Sequence, residues 1–141
     1  MITVVIDTNI LVAACLKEGG TGRAVIKRCL DRKYRPLIGS ALFTEYEDVM
    51  SRRELFENSP LSLSERQEVF QGFLSVCQWT EVFFAWRPNL PDEGDNHLIE
   101  LAVAGRASAI VTRNLKDLTK GELRFPDIRI LTPEQCMEEL L

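Results

Sequence analysis

The sequence predicts an α/β fold, a mostly parallel sheet with helices on both faces. Three observations lead there. The run Ile2-Thr3-Val4-Val5-Ile6 is continuously apolar apart from one threonine, and reads as a strand buried on both faces. Further short apolar runs recur between stretches of helical spacing, in the order βαβαα(β)αβαβα. Polar residues stand at the carboxyl ends of these runs, where open α/β sheets place their ligand crevice.

The first strand ends at Asp7-Thr8-Asn9, and Ile10 to Leu16 reads as a short helix broken by Gly19-Gly20. Thr21 is positioned to cap a second helix through about Leu30. Arg35 to Gly39 reads as the second strand, with Pro36 tolerated near its start. Ser40 then caps a helix to about Met50, with Leu42, Tyr46 and Val49 as its apolar stripe. Glu45 sits at the border of that stripe. After the loop Glu57 to Pro60, Ser62 or Ser64 opens a helix carrying Val69, Phe70, Phe73, Leu74 and Cys77. Thr80 to Ala85 reads as the third strand, followed by a proline-punctuated loop through Pro91. Asp92-Glu93-Gly94-Asp95 leads into a helix with Leu98, Ile99 and Ala102 inward. Ala107 to Thr112 and Asp127 to Leu131 are the last strands. Thr132, with Pro133 at the first helical position, caps the final helix.

The 141 residues are expected to form one domain, 1–141, large enough for a real core. The net charge of −4 argues weakly against generic polyanion binding. Four widely spaced cysteines lack zinc-ligand spacing and read as buried thiols in a reducing compartment. The opening residues read as a core strand rather than a signal peptide, and no apolar run approaches a membrane span of roughly 20 residues. A cytoplasmic protein without membrane attachment is expected. His97 is the only histidine, which removes histidine-rich zinc sites and paired-histidine chemistry. There is no Gly-x-Ser-x-Gly elbow and no P-loop.

What remains is a set of acids. Asp7 lies at a strand's carboxyl end, Glu45 in the following strand–helix unit, and Asp95 at the start of an inward helical stripe. Asp92 is available as that helix's cap, so Asp95 costs desolvation unless something positive receives it. Several carboxylates in one crevice repel, and a hard divalent cation resolves the repulsion. Mg²⁺ or Mn²⁺ prefers such oxygen ligands, and metal-assisted phosphodiester hydrolysis is the chemistry that best matches them. Each acid also has a bland reading: Glu45 as a surface side chain, Asp95 as an N-cap. The run Arg23, Lys27, Arg28, Arg32, Lys33 and Arg35 reads either as a solvated face or as a phosphate-tracking ridge.

Taken in order, Asp7-Thr8-Asn9, Glu45 after Ser40, Asp92-x-x-Asp95 before Leu98-Ile99-Glu100-Leu101-Ala102, and Val111-Thr112-Arg113-Asn114-Leu115-Lys116-Asp117-Leu118 resemble the PIN domain. The nearest likeness is to toxin components of bacterial toxin–antitoxin pairs, the VapC-like ribonucleases. The resemblance implies a three-layer α/β/α sandwich and a Mg²⁺- or Mn²⁺-dependent endoribonuclease. It also implies a homodimer inhibited by a small antitoxin protein. Carried over by position, Asp7, Glu45 and Asp95 match the catalytic, metal-holding acids, Asp92 an auxiliary acid, and Thr112 the strand-end hydroxyl. Thr8 and Asn9 belong to the same opening motif. Asn114 falls where many members carry a fourth acid, and Asp117 at a helix-capping position. Arg23, Lys27 and Arg113 are the candidate RNA contacts.

Two other readings compete. One is a PIN-like module that binds RNA or a partner without cleaving, supported by Asn114. The other is a phospho-receiver domain, which needs an acid pair after its first strand and a lysine after its fifth. Asp7 has no acidic neighbour, and Arg113-Asn114 follow Thr112, so the receiver reading ranks below the nuclease.

Overall fold

The computed structural model describes residues 1–82, 96–115 and 127–140. Among these residues the core is a five-stranded sheet, each described pairing parallel, in the order β3-β2-β1-β4-β5. The strands are β1 (Ile2–Ile6), β2 (Tyr34–Ile38), β3 (Gln78–Trp79), β4 (Ala109–Val111) and β5 (Arg129–Leu131). β1 is central, with Val4 opposite both Pro36 of β2 and Ala109 of β4. Val4, Val5 and Ile6 are fully buried, so both faces of the sheet are covered. The helices are α1 (Thr8–Leu16), α2 (Thr21–Leu30), α3 (Ser40–Met50), α4 (Leu63–Val76), α5 (Asn96–Gly105) and α6 (Pro133–Glu139), with a 3₁₀ turn at Arg53–Phe56. The result is the expected three-layer α/β/α arrangement.

The strand order reverses at β1. From β1 the chain builds outward through β2 and β3, then crosses back to place β4 and β5 on the other side. Such a switch point opens a crevice at the carboxyl ends of the two strands that flank it, here β1 and β4. Asp7 follows β1 and Thr112 follows β4, so both stand at its mouth. The backbone ties them there: Asp7 N–H donates to the Val111 carbonyl at 3.0 Å, and Thr112 N–H to that of Leu131 at 2.9 Å.

Buried stripes and, at α1, α4 and α6, side-chain caps fix the helices. α3 buries Leu42 and Tyr46, and Tyr46 meets Phe73 of α4 edge to face at 5.6 Å. The Tyr46 hydroxyl donates to the Ile6 carbonyl, pinning α3 beside the end of β1. α5 buries Leu98, Ile99, Leu101 and Ala102 and packs against β1, β2 and β4. Gly105 at its end is required by close approach: a Cβ there would lie 2.2 Å from Leu37 Cδ1. Ser62 with Glu65, and Thr132 with Gln135, form reciprocal capping boxes on α4 and α6, and Pro133 occupies the first turn of α6.

Several boundaries differ from the sequence expectation. α1 begins at Thr8 rather than Ile10, because the Asp7 carboxylate serves as its N-cap. Gly20 and Gly39, not Thr21 and Ser40, hold the N-cap positions of α2 and α3, and neither provides a side-chain cap. β2 starts one residue earlier, at Tyr34, whose hydroxyl donates to the Leu140 carbonyl at 2.5 Å and so draws it into the sheet. The third strand is Gln78–Trp79 rather than Thr80 to Ala85. The turn out of α4 at Cys77 feeds directly into pairing with β2, and Thr80 N–H makes the last bond, to Ile38 O at 2.7 Å. β4 and β5 are each shorter than their apolar runs. Residues 83–85 of that expected strand lie outside the described residues, as do Asp92, Asp95 and Asp117.

Candidate functional site

Asp7 is 4% exposed, an unusual environment for a carboxylate. Its hydrogen bonds explain how the fold tolerates it. Oδ1 accepts the Thr8 N–H at 2.7 Å, and Oδ2 accepts the Thr112 hydroxyl at 2.7 Å and Asn9 Nδ2 at 3.3 Å. Burial nonetheless pushes its pKa up. The bonds from Thr112 and Thr8 pull it down, and the nearby negative Glu45 pushes it up again.

Glu45 joins this centre through Thr8, whose hydroxyl donates to Oε1 at 3.0 Å. The other oxygen, Oε2, lies 2.7 Å from His97 Nε2. An ionised carboxylate can only accept, so Nε2 carries the proton of that bond. The His97 bond is the main reason the Glu45 pKa is lowered, against the opposing effect of its partial burial. His97 Nδ1 is buried and has no partner among the described residues.

The strand-end residues complete the frame. Thr112 Oγ1 accepts the Asn114 N–H at 2.9 Å, and Asn9 Oδ1 accepts the Arg113 N–H at 3.3 Å. Asn9 thus links the start of α1 to the end of β4. Asn114 contributes its backbone to this frame, while the residue itself is exposed. Arg113 extends away from the acids. Its guanidinium holds Glu134 of α6 at 2.7 and 2.8 Å and Thr21 of α2 at 3.3 Å.

The structure therefore brings together Asp7, Thr8, Asn9, Glu45 and Thr112 from the expected set, with Asn114 on the rim. His97 is the participant that sequence reasoning missed. Its signal is its place one helical turn before Leu101, which is buried, on the same face of α5. Several side chains of the basic run make hydrogen bonds within the fold. Arg23 Nε donates to the Ala14 carbonyl, Arg28 to Tyr34 Oη and the Leu140 carbonyl, and Arg35 to Thr3 Oγ1. These side chains tie elements together, and Lys27, Arg32, Lys33 and Arg35 are exposed.

The donor set fits a hard divalent cation. It is all oxygen, the Asp7 and Glu45 carboxylates with the Thr8 and Thr112 hydroxyls beside them. A cation would also relieve the burial and like-charge repulsion that act on Asp7. Among the described residues, no group of three His, Cys, Asp or Glu is disposed to hold a metal ion. A third carboxylate from the described residues is thus not part of the centre, and Asp92 and Asp95 lie outside them.

Comparison with known proteins gives a consistent picture of the fold. A family profile described as a PIN domain matches residues 3–116. No curated protein matches the chain. One similar solved structure is that of VapBC2 from Rickettsia felis bound to a DNA fragment from their promoter. A chain of it aligns with a TM-score of 0.63 over 93% of this chain and 98% of that one, at 17% identity. Likeness at that identity speaks for the fold.

Proposed function

The chain belongs to the PIN domain family, and from that premise we propose that it is a metal-dependent endoribonuclease, the toxin of a toxin–antitoxin pair. The observation that carries the proposal is the Asp7–Thr8–Glu45 network, two carboxylates from separate elements joined through Thr8, its N–H on Asp7 and its hydroxyl on Glu45, at the sheet's switch point. In this reading Asp7, Glu45 and Asp95 hold Mg²⁺ or Mn²⁺, with Asp92 auxiliary. The bound ion supplies Lewis-acid polarisation of the phosphodiester and activation of water.

The chain's own residues do the positioning. Thr112 and the Thr8 N–H fix the Asp7 carboxylate in one orientation. His97 and the Thr8 hydroxyl hold the two oxygens of Glu45 apart in separate bonds. Lys27 is exposed and Arg23 and Arg113 are partly committed, so Lys27 is the freest of the three proposed RNA contacts.

RNA as substrate, an antitoxin protein as inhibitor, a second copy in a homodimer and a cytoplasmic setting complete the proposal, with residues 1–141 acting as one domain. The Rickettsia felis structure, VapBC2 with promoter DNA, supports a protein partner. No helix among the described residues is long and apolar enough to cross a membrane. Incubating the purified protein with single-stranded RNA, in Mn²⁺ and in chelator, tests the activity. Cleavage only with the ion is expected; intact RNA in both would favour a module that binds without cutting.

A further inference from the structure

A cavity of about 520 Å³ opens beside the acidic centre, and His97 is common to both. Its lining includes Ser40, Trp79, Thr80, Glu81 and Val82. We infer that this cavity is a nucleobase subsite, and that guanine is the base it takes.

Trp79 is the first reason. It ends β3 at the same edge of the sheet as Asp7, yet it is 53% exposed. Phe43 meets it edge to face at 6.4 Å, which fixes the indole from one side and leaves the rest open. Ordering a large aromatic against solvent gives a ready platform on which the flat ring of a base can stack.

Charge is the second reason. Among the described residues that line the cavity none is Lys or Arg, whereas Glu81 brings a carboxylate. Such a lining repels a phosphate and favours a neutral group rich in donors. Glu81 is exposed at the rim, where a carboxylate accepts two parallel hydrogen bonds. Guanine is the base whose pairing edge presents two adjacent donors, the ring N1–H and the exocyclic amine. Adenine, cytosine and uracil each set an acceptor beside their donor, and that acceptor would face the carboxylate. Ser40, at the start of α3, adds donors for the guanine carbonyl. Gly39 and Thr80 both line the cavity and approach closely, since a Cβ on Gly39 would lie 3.0 Å from the Thr80 carbonyl.

The inference rests on the ribonuclease reading but is tested apart from it. Titration calorimetry of the full chain in chelator, with the nucleosides guanosine, adenosine, cytidine and uridine, removes catalysis from the readout. None of them carries a phosphate for the acidic lining to repel. Guanosine should bind tightest. Trp79→Ala should weaken it roughly fivefold or more, with Trp79→Phe retaining most of the affinity. Glu81→Gln should weaken guanosine and spare uridine. Equal binding of all four, no binding of any, or guanosine affinity unmoved in both Trp79→Ala and Glu81→Gln would overturn the subsite. A protein that cleaves RNA in Mn²⁺ but fails this titration loses the subsite and keeps the nuclease. One that prefers guanosine without cleaving does the reverse.

Discussion

The Thr112 hydroxyl donates to Asp7 Oδ2 at 2.7 Å, across the gap between two adjacent parallel strands. Thr112 Oγ1 in turn accepts the Asn114 N–H, so one hydroxyl bonds a buried carboxylate and turns the chain after β4. Thr112→Val keeps the shape and removes both bonds. In chelator it should lower the unfolding free energy by about 1–3 kcal/mol, since a buried carboxylate loses its donor. Thr112→Ser should recover most of the loss. Urea denaturation decides, and a Val variant as stable as wild type would show that Asp7 does not depend on this bond.

His97 holds Glu45 from the side opposite Thr8. Its role in the proposed metal site is that of a positioning residue. His97→Ala should reduce Mn²⁺ affinity on the order of tenfold or more while leaving the fold intact, as loss of a partner to a metal-ligating carboxylate commonly does. Calorimetric titration with Mn²⁺, beside circular dichroism, makes the comparison. Unchanged affinity would mean that Glu45 is held well enough by Thr8, or is no ligand.

Asn114 presents its backbone to the site and is itself exposed. A new charge there is solvated. Asn114→Asp should therefore change stability in chelator by no more than about 0.5 kcal/mol, rather than by the larger penalty of a buried fourth acid. A large fall in melting temperature in chelator would place this side chain inside the cluster after all.

Metal binds the folded site and not the dispersed acids of the unfolded chain. Mn²⁺ should raise stability by about 2.7 kcal/mol at a hundredfold excess over the dissociation constant. The gain should be missing in Asp7→Asn. Thermal melts in chelator and in increasing Mn²⁺ check this. A gain of equal size in both proteins would move the ion to another part of the chain.

The parts of the fold legible in the sequence were those in which one force dominates. β1 is an apolar run with no polar face, so it had to be central, and its first polar neighbour, Asp7, had to stand at the crevice. Periodicity put Glu45 at the border of a helical stripe and Thr112 at a strand end, and it was the resemblance to the PIN domain that assigned them to the site. His97 was lost because the inward stripe was drawn through Leu98, Ile99 and Ala102 and omitted Leu101, which shares His97's face. Counting histidines ruled out histidine pairs, but it said nothing of a histidine paired with a carboxylate. The basic run was ambiguous for a different reason. Arg28 is satisfied by the carbonyl of Leu140, 112 residues away, and no local pattern reveals such a partner. β3 is an edge strand two residues long, and the stronger apolar signal just after it drew the expectation past the true pairing.

The most direct test of the site is the rate at which Asp7→Asn cleaves single-stranded RNA in saturating Mn²⁺, measured beside wild type. Asn keeps the size of the side chain and can still cap α1, so circular dichroism should show a folded protein. The predicted result is wild-type cleavage that depends on Mn²⁺ and a variant rate at background. A folded Asp7→Asn that cleaves as fast as wild type would contradict the assignment of the catalytic centre to Asp7.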